Sequence, residues 1–352
     1  MRLQIHSTFT GAHRCRLTPS AGPWTRRLTG GSNAQHTFLL NAAGWPLSPS
    51  QNRDVFEDTR NTVVVADDTG AAYAGIIQRS DYARSNGALK VRSVDIRSIM
   101  KDRLLHGVNA YPLGNLTIVN RSNEGAVRAI LQRAMQWGPL WEFPLDLPPD
   151  GPGDFSADWR NYQGMTIEDC LNAVEERGVE IDFHPTLNAQ NVLRWQVRVA
   201  PKITSGAFDL PVTSPKSPIS KLSIARDASR RLTGAIVFGN GMDEDMVTAW
   251  AGVPGFTIPV RDASRSAKDE RDAAQLQQIA NAYVAESADP IEEWSFTVDT
   301  TKVPLPNLLP GRVLNLDVRG DKWIPDGSYR KRVIALSGDA LGHVVTPEVQ
   351  DA

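Results

Sequence analysis

The chain reads as a β-rich α+β protein on three observations. Short apolar runs bounded by Gly, Pro, Asn and Asp recur along its whole length, which is the rhythm of strands and turns. Only four stretches set apolar residues three and four apart behind helix-start signals, near 95–105, 122–136, 166–177 and 266–283. The clearest segment is TVVVADDTGAAYAGIIQRSDYARSNGALKVRSVDIRSIMKDRLLH, from Thr62 to His106. It runs three strands into one amphipathic helix and holds no evident chemistry.

Taken in order, residues 1–60 join an alternating start, RLQIHSTF, to breaks at Gly30-Gly31 and around Pro46 and Pro49. Asn61–Ala66 and Ala71–Arg79 flank Asp67-Asp68-Thr69-Gly70, whose glycine suits the positive φ of a hairpin connection. Asn86-Gly87 is a stronger two-residue hairpin signal ahead of Ala88–Val94. Asp95 stands where a helix cap belongs, and Ile96, Ile99, Met100, Leu104 and Leu105 make one stripe for packing on a sheet.

Further along, Ser122 or Asn123 caps a helix with Glu124 at its positive end. Val127, Ile130, Leu131, Ala134 and Met135 form its buried face, and Gly138-Pro139 stops it. Thr166-x-x-Asp169 has the form of a capping box for a helix that Gly178 closes. EIDFHP and VLRWQVRVA read as strands, the second setting Leu193, Trp195, Val197 and Val199 on one face. Pro201, Pro211, Pro215 and Pro218 mark a connector. KLSIARD and TGAIVFGNG follow as strands, then a helix expected to begin at Ser266-x-x-Asp269 with Ala273, Leu276, Ala280 and Tyr283 on one side. EWSFTVD, RVLNLDV and SYRKRVIALSGD finish the chain as antiparallel strands turning at Gly320-Asp321 and Asp326-Gly327. The blocks predict three domains: β-rich 1–106, α+β 107–205 with an aromatic loop, and β-rich 206–352 with one long helix.

Bulk properties narrow the function. The 38 basic and 40 acidic residues leave a net charge of −2, so no excess of positive charge is available to neutralise phosphates in a dedicated nucleic-acid role. Cys15 and Cys170 stand far apart and offer neither a C-x-x-C motif nor a disulfide framework; Cys170 reads as a small core residue. The start, MRLQIHSTFTGAH, lacks the apolar core of a signal peptide, and no run of apolar residues is long enough to span a bilayer. The sequons at Asn115 and Asn120 therefore read as chance, and folding in a cytoplasm is expected.

The search for chemistry returns no catalytic, cofactor-binding or metal motif. There is no nucleophile elbow, no zinc-protease helix, no P-loop and no EF-hand loop. Gly239-Asn240-Gly241 and Gly151-Pro152-Gly153 lack the third glycine of a dinucleotide turn, and the six histidines are scattered. The most suggestive stretch is WGPLWEFPLDLPPDGPGDFSADWRNY, residues 137–162. It sets Trp137, Trp141, Phe155 and Trp159 among Glu142, Asp146, Asp150, Asp154 and Asp158. Rings with interspersed carboxylates are what sugar clefts and glycoside hydrolases use. A long irregular loop also needs aromatic anchors to pack, and such a loop can reach onto a neighbouring subunit. No two carboxylates are singled out by spacing.

Four stretches together resemble a known family. They are Trp24-Thr25-Arg26-Arg27-Leu28 with Ala74-Gly75-Ile76-Ile77 of the meander; VRSVDIRSIMKDRLL; GMTIEDCLNAVEERGVEIDFHP; and LLPGRVLNLDV followed by GSYRKRVIALSGD. Their order is similar to that in hub, or tail-tip, proteins of tailed bacteriophages, including minor tail proteins of phages of actinobacteria, and more distantly to baseplate hubs of contractile tails. The resemblance implies two tail-tube-like antiparallel β-barrel domains with a smaller inserted α+β domain. It implies a homotrimer in the virion, meeting tube, tape-measure and tip or fibre proteins, with DNA only in transit. Many such hubs continue into a peptidase or lysozyme; this chain ends soon after its last β-unit, so no enzyme and no cofactor is expected. Contacts are expected at Trp137, Trp141, Phe155 and Trp159, and the helix residues Ile99, Met100 and Leu104 are expected to pack mostly within the chain. A carbohydrate-binding adhesin and a cell-wall glycoside hydrolase, both using the 137–162 loop, are the alternatives.

Overall fold

A computed structural model describes residues 1–107, 114–136 and 138–352. They form two compact units, Met1–Leu222 with Ser295–Ala352, and Ser223–Trp294. The chain is β-rich, and its largest sheet is antiparallel apart from one parallel pair in the pairings described.

In the larger unit, β1 (Arg2–Ser7), β2 (His13–Leu17), β3 (Pro23–Arg27), β4 (Asn33–Leu39), β5 (Asn61–Ala66), β6 (Ala71–Ala83) and β7 (Ala88–Val94) pair in the order β3-β4-β7-β6-β5-β1-β2. The 62–94 meander thus forms where its turns predict. Its composition shows why β5 lies deep. Thr62 to Ala66 is a continuous apolar run rather than an alternation, the pattern of a strand covered on both faces. Val63 and Ile77 point into one cluster with Leu3, Ile5, Phe38 and Phe56. Val64, Ala66, Ala74 and Ile76 point into another. The alternation expected for β1 is absent for the same reason, since Leu3, Gln4, Ile5 and His6 are all buried.

The first cluster is closed by α1 (Pro49–Val55), in the stretch where Pro46 and Pro49 predict a break. Its start is fully specified locally: Pro49 sits in the first turn and Ser48 exchanges capping-box bonds with Gln51. The second cluster is the core of the α+β block. It holds Ile96 and Met100 of α2 (Arg97–Asp102), Val127, Ile130 and Leu131 of α3 (Asn123–Met135), and Ile167, Cys170, Leu171 and Val174 of α4 (Ile167–Glu175). β11 (Glu180–Leu187) and β12 (Leu193–Ala200) add Ile181, Leu193, Trp195 and Val197. Ser122 caps α3, and Thr166 and Asp169 form the capping box of α4 that their spacing predicts. The helix expected to run to Leu105 stops at Asp102. Arg103 is extended, and Leu105 N–H and Arg103 C=O bond Met165 and Ile167 as a short bridge, so Leu104 is left 45% exposed.

The large sheet is continued by β13 (Ala207–Pro211), β14 (Ile219–Asp227), β18 (Ile291–Asp299), β19 (Val313–Val318), β20 (Gly327–Asp339) and β21 (Val344–Asp351). β13 lies in the stretch read as a connector; it is parallel to β19. β20 is the joint of the sheet. Residues 327–332 pair with β19, residues 335–339 pair with β3, and the opposite edge pairs with β21. The register slips between Val333 and Ala335, and Ile334 C=O accepts from Leu28 N–H at that point. Gly338 opposite Trp24 leaves room for the indole: a Cβ there would stand 3.0 Å from it.

In the smaller unit, β15 (Gly234–Phe238) lies between β16 (Thr248–Gly252) and β17 (Asp262–Ser266), with α5 (Ala273–Ser287) on one face through Leu276 and Ala280. Ser266 was expected to open this helix. It instead ends β17, paired with Phe238, and Asp272 caps α5 by accepting from Ala274 N–H at 2.7 Å.

Trp24 is 2% exposed at the seam between β3 and β20. Trp24→Ala is expected to lower the unfolding free energy by about 3–5 kcal/mol, read as a shift in urea midpoint with unchanged slope.

Candidate functional site

The aromatic loop is held from within. β10 (Phe155–Trp159) pairs with β8 (Leu116–Arg121), and Phe155 and Trp159 are both buried, with ring centroids 6.2 Å apart. β9 (Leu145–Asp146) adds to β12. Trp141 is half-buried under the Arg103 guanidinium, which lies 4.8 Å from its ring and 5.0 Å from Phe143, and Arg103 also donates to Trp141 C=O at 2.8 Å. Trp137 lies outside the described residues. Ile99 packs on the core and Met100 is 1% exposed within it.

Four of the five loop carboxylates meet arginines rather than one another. Asp146 pairs with Arg194, Asp150 with Arg121, Asp154 with Arg177 and Asp158 with Arg160. The Arg121 hydrogen bond holds Asp150 below the usual carboxylate range. Among the described residues no group of three or more His, Cys, Asp or Glu side chains is placed to hold a metal ion. Among the same residues no helix is long and apolar enough to cross a membrane. Cys170 is buried in the core, which pushes its thiol up to about 12.

The most concentrated charge chemistry joins the α+β block to the sheets. Arg97, at the start of α2, donates to Glu168 at 2.9 Å, Glu175 at 2.8 and 2.5 Å, and Asn172 at 3.2 Å, so one buried guanidinium binds three side chains along α4. Arg332 of β20 forks onto both oxygens of Glu180 at 2.7 Å. Burial works to raise the Glu180 pKa, but Arg332 and the Ile203 N–H outweigh it and leave it lowered. Arg198 holds buried Asp182 at 2.9 and 2.6 Å, and Arg26 of β3 lies 3.6 Å from the same oxygen. Arg26 donates to His184 Nδ1 at 2.7 Å; burial and the two arginines keep that imidazole neutral by lowering its pKa strongly. Apart from Arg198 and Asp182, 16 positions apart, these partners lie 71 to 158 positions apart, beyond the reach of sequence reading.

His6 of β1 and His36 of β4 are also buried neutral. His6 contacts Gly11 C=O and Gln4, and burial brings it to about 4. Among the described residues His36 has no hydrogen-bond partner for either ring nitrogen, and burial brings it also to about 4.

By sequence the chain matches no family model and no curated protein. Compared with solved structures, it is similar over its whole length to phage tail proteins. The 43 kDa tail protein of prophage MuSo2 from Shewanella oneidensis aligns with 100% of this chain and 98% of its own, at TM-score 0.59 and 11% identity. A tail protein from Neisseria meningitidis aligns with 99% of this chain and 96% of its own, at 0.56 and 13%. An E. coli component of the type VI secretion system, described as structurally similar to bacteriophage T4 tail proteins, aligns with 100% of this chain and 77% of its own, at 0.50 and 9%. At such identities the likeness is one of fold. The β-rich, largely antiparallel class agrees with the sequence expectation, while among the described residues no closed barrel is formed.

Removing Arg97 leaves two carboxylates facing a buried wall. Arg97→Ala is expected to cost about 3 kcal/mol in chemical denaturation. Histidines held near 4 take up protons only in the unfolded chain between pH 6.5 and 4, so their contribution is full above 6.5 and is lost as pH falls through that window. His36→Leu is expected to be neutral or stabilising at neutral pH and to remove about 2 kcal/mol of the loss between about pH 7.5 and about 4.5, measured by urea titration.

Proposed function

We propose that this chain is a structural component of a bacteriophage tail, a hub that adapts the tail tube to the tip or fibre apparatus and leaves a path for DNA. The observation that carries the reading is the agreement of fold with tail proteins along essentially the full length of both chains. In this reading residues 1–106 and 206–352 are two tube-like β-rich domains, 107–205 is inserted between them, and three copies close a ring in the virion. Tube, tape-measure and tip proteins are its neighbours. The strand order supports assembly, because β2 pairs only β1 and β13 only β19 among the described residues, leaving sheet edges available to another chain.

No residue performs bond chemistry in this reading. The arginine-matched carboxylates and the inward Phe155 and Trp159 support a bracing role for the loop. Trp141, with Leu140 beside it 75% exposed, is the part assigned to contact with a neighbouring subunit.

Sedimentation and native mass spectrometry of the purified chain are expected to give a trimer, and images of the intact tail to place three copies below the tube. A strictly monomeric chain absent from the virion would end the proposal. Incubation with peptidoglycan is expected to release no sugar.

A further inference from the structure

The smaller unit carries a surface that the tail reading leaves unused. α5 covers one face of its three-stranded sheet, where Val237, Ala249, Leu276 and Ala280 form the core. The opposite face is open. Its register sets three rows across the strands: Gly252, Gly234 and Asp262; Trp250, Ile236 and Ser264; Thr248, Phe238 and Ser266. Trp250 is 75% exposed, Ile236 45% and Phe238 36%, and strand alternation puts all three on the side away from α5.

The glycine row makes a floor beside the indole. A Cβ on Gly252 would meet only Thr233 C=O, at 3.5 Å, so the ground next to Trp250 is bare backbone. At the far end the Asp262 carboxylate leans over Gly234, where a Cβ would stand 2.8 Å from Oδ1. Thr233 Oγ1 donates to that Oδ1 at 3.3 Å, and Oδ2 takes no bond among the described residues. The span from β16 to β17 is two strand spacings, roughly 10 Å. The result is a shelf with an aromatic wall at one end, a carboxylate at the other, and the exposed hydroxyls of Thr248, Ser264 and Ser266 alongside.

Size and polarity select the occupant. Taking up to about 250 Å² for a full tryptophan side chain, the three apolar residues leave roughly 350 Å² open. A stable protein interface covers about 800 Å² on each partner. A shelf this small, lined by hydroxyls and a single acid, suits a compact ligand with a flat C–H face and a hydroxyl edge. We propose that it binds a neutral carbohydrate: one pyranose ring lies over Gly252 against Trp250, and its hydroxyls donate to Asp262 and exchange hydrogen bonds with Ser264.

The test is calorimetric titration of the full chain with cellohexaose and with chitohexaose, β-linked sugars with flat apolar faces. Binding of at least one is expected at about 0.1–1 mM. Trp250→Ala is expected to weaken it by about tenfold or more, Trp250→Phe to keep most of it, and Asp262→Asn to weaken it several-fold. Circular dichroism checks that the variants fold; should Trp250→Ala not fold, Asp262→Asn at the exposed end of the shelf carries the test. No heat with either sugar at about 10 mM overturns the proposal, as does binding that these substitutions leave unchanged. Self-association that Trp250→Ala abolishes, without sugar binding, would make the face a protein interface and overturn it too.

Discussion

Everything in the larger unit depends on one strand serving two partners along the same edge. The first half of β20 bonds to β19 and its second half to β3, so strands from both ends of the chain share one hydrogen-bonded ladder. Buried backbone groups must be paired, and β20 satisfies this only because its register slips near Ile334, where Leu28 N–H supplies the missing partner. Trp24 then packs over Gly338 at the seam. A sheet joined this way holds the two ends of the sequence together without a disulfide.

Charge does for the α+β block what β20 does for the strands. Arg26, Arg97 and Arg332 each leave a strand or helix start of the first or last third of the chain and end on carboxylates or the imidazole of the middle third. Buried pairs of this kind are costly to desolvate, so their value lies less in net stability than in allowing one seating of the block. Arg26 illustrates the limit. Among the described residues its Nη1 finds no partner, and burial draws its pKa down to about 10 against the pull of Asp182. The same burial keeps His6, His36 and His184 neutral, so falling pH works against this fold.

The aromatic loop shows how composition misleads. Rings interleaved with acids suggest a cleft, yet here each of four acids is matched to its own arginine and two of the rings are core. An exposed tryptophan instead stands on β16, whose TAWAG run carries no composition signal of its own.

Local signals decided the local structure. The meander 61–94, the caps at Ser122 and Thr166, and the face of Leu193, Trp195 and Val197 were legible because each depends on residues within a few positions. The α1 capping box was legible and overlooked, while Ser266 mimicked a cap and was drawn into β17 by its parallel pairing. The resemblance to tail proteins was likewise carried by segment order. Which strand β20 would join, where Arg26, Arg97 and Arg332 would end, and which face of the small sheet would stay open were settled only by tertiary structure. Those contacts join residues tens to hundreds of positions apart, and no sequence window contains both partners. The chain's own residues specify the pieces; the pairing of buried backbone and buried charge specifies how they close.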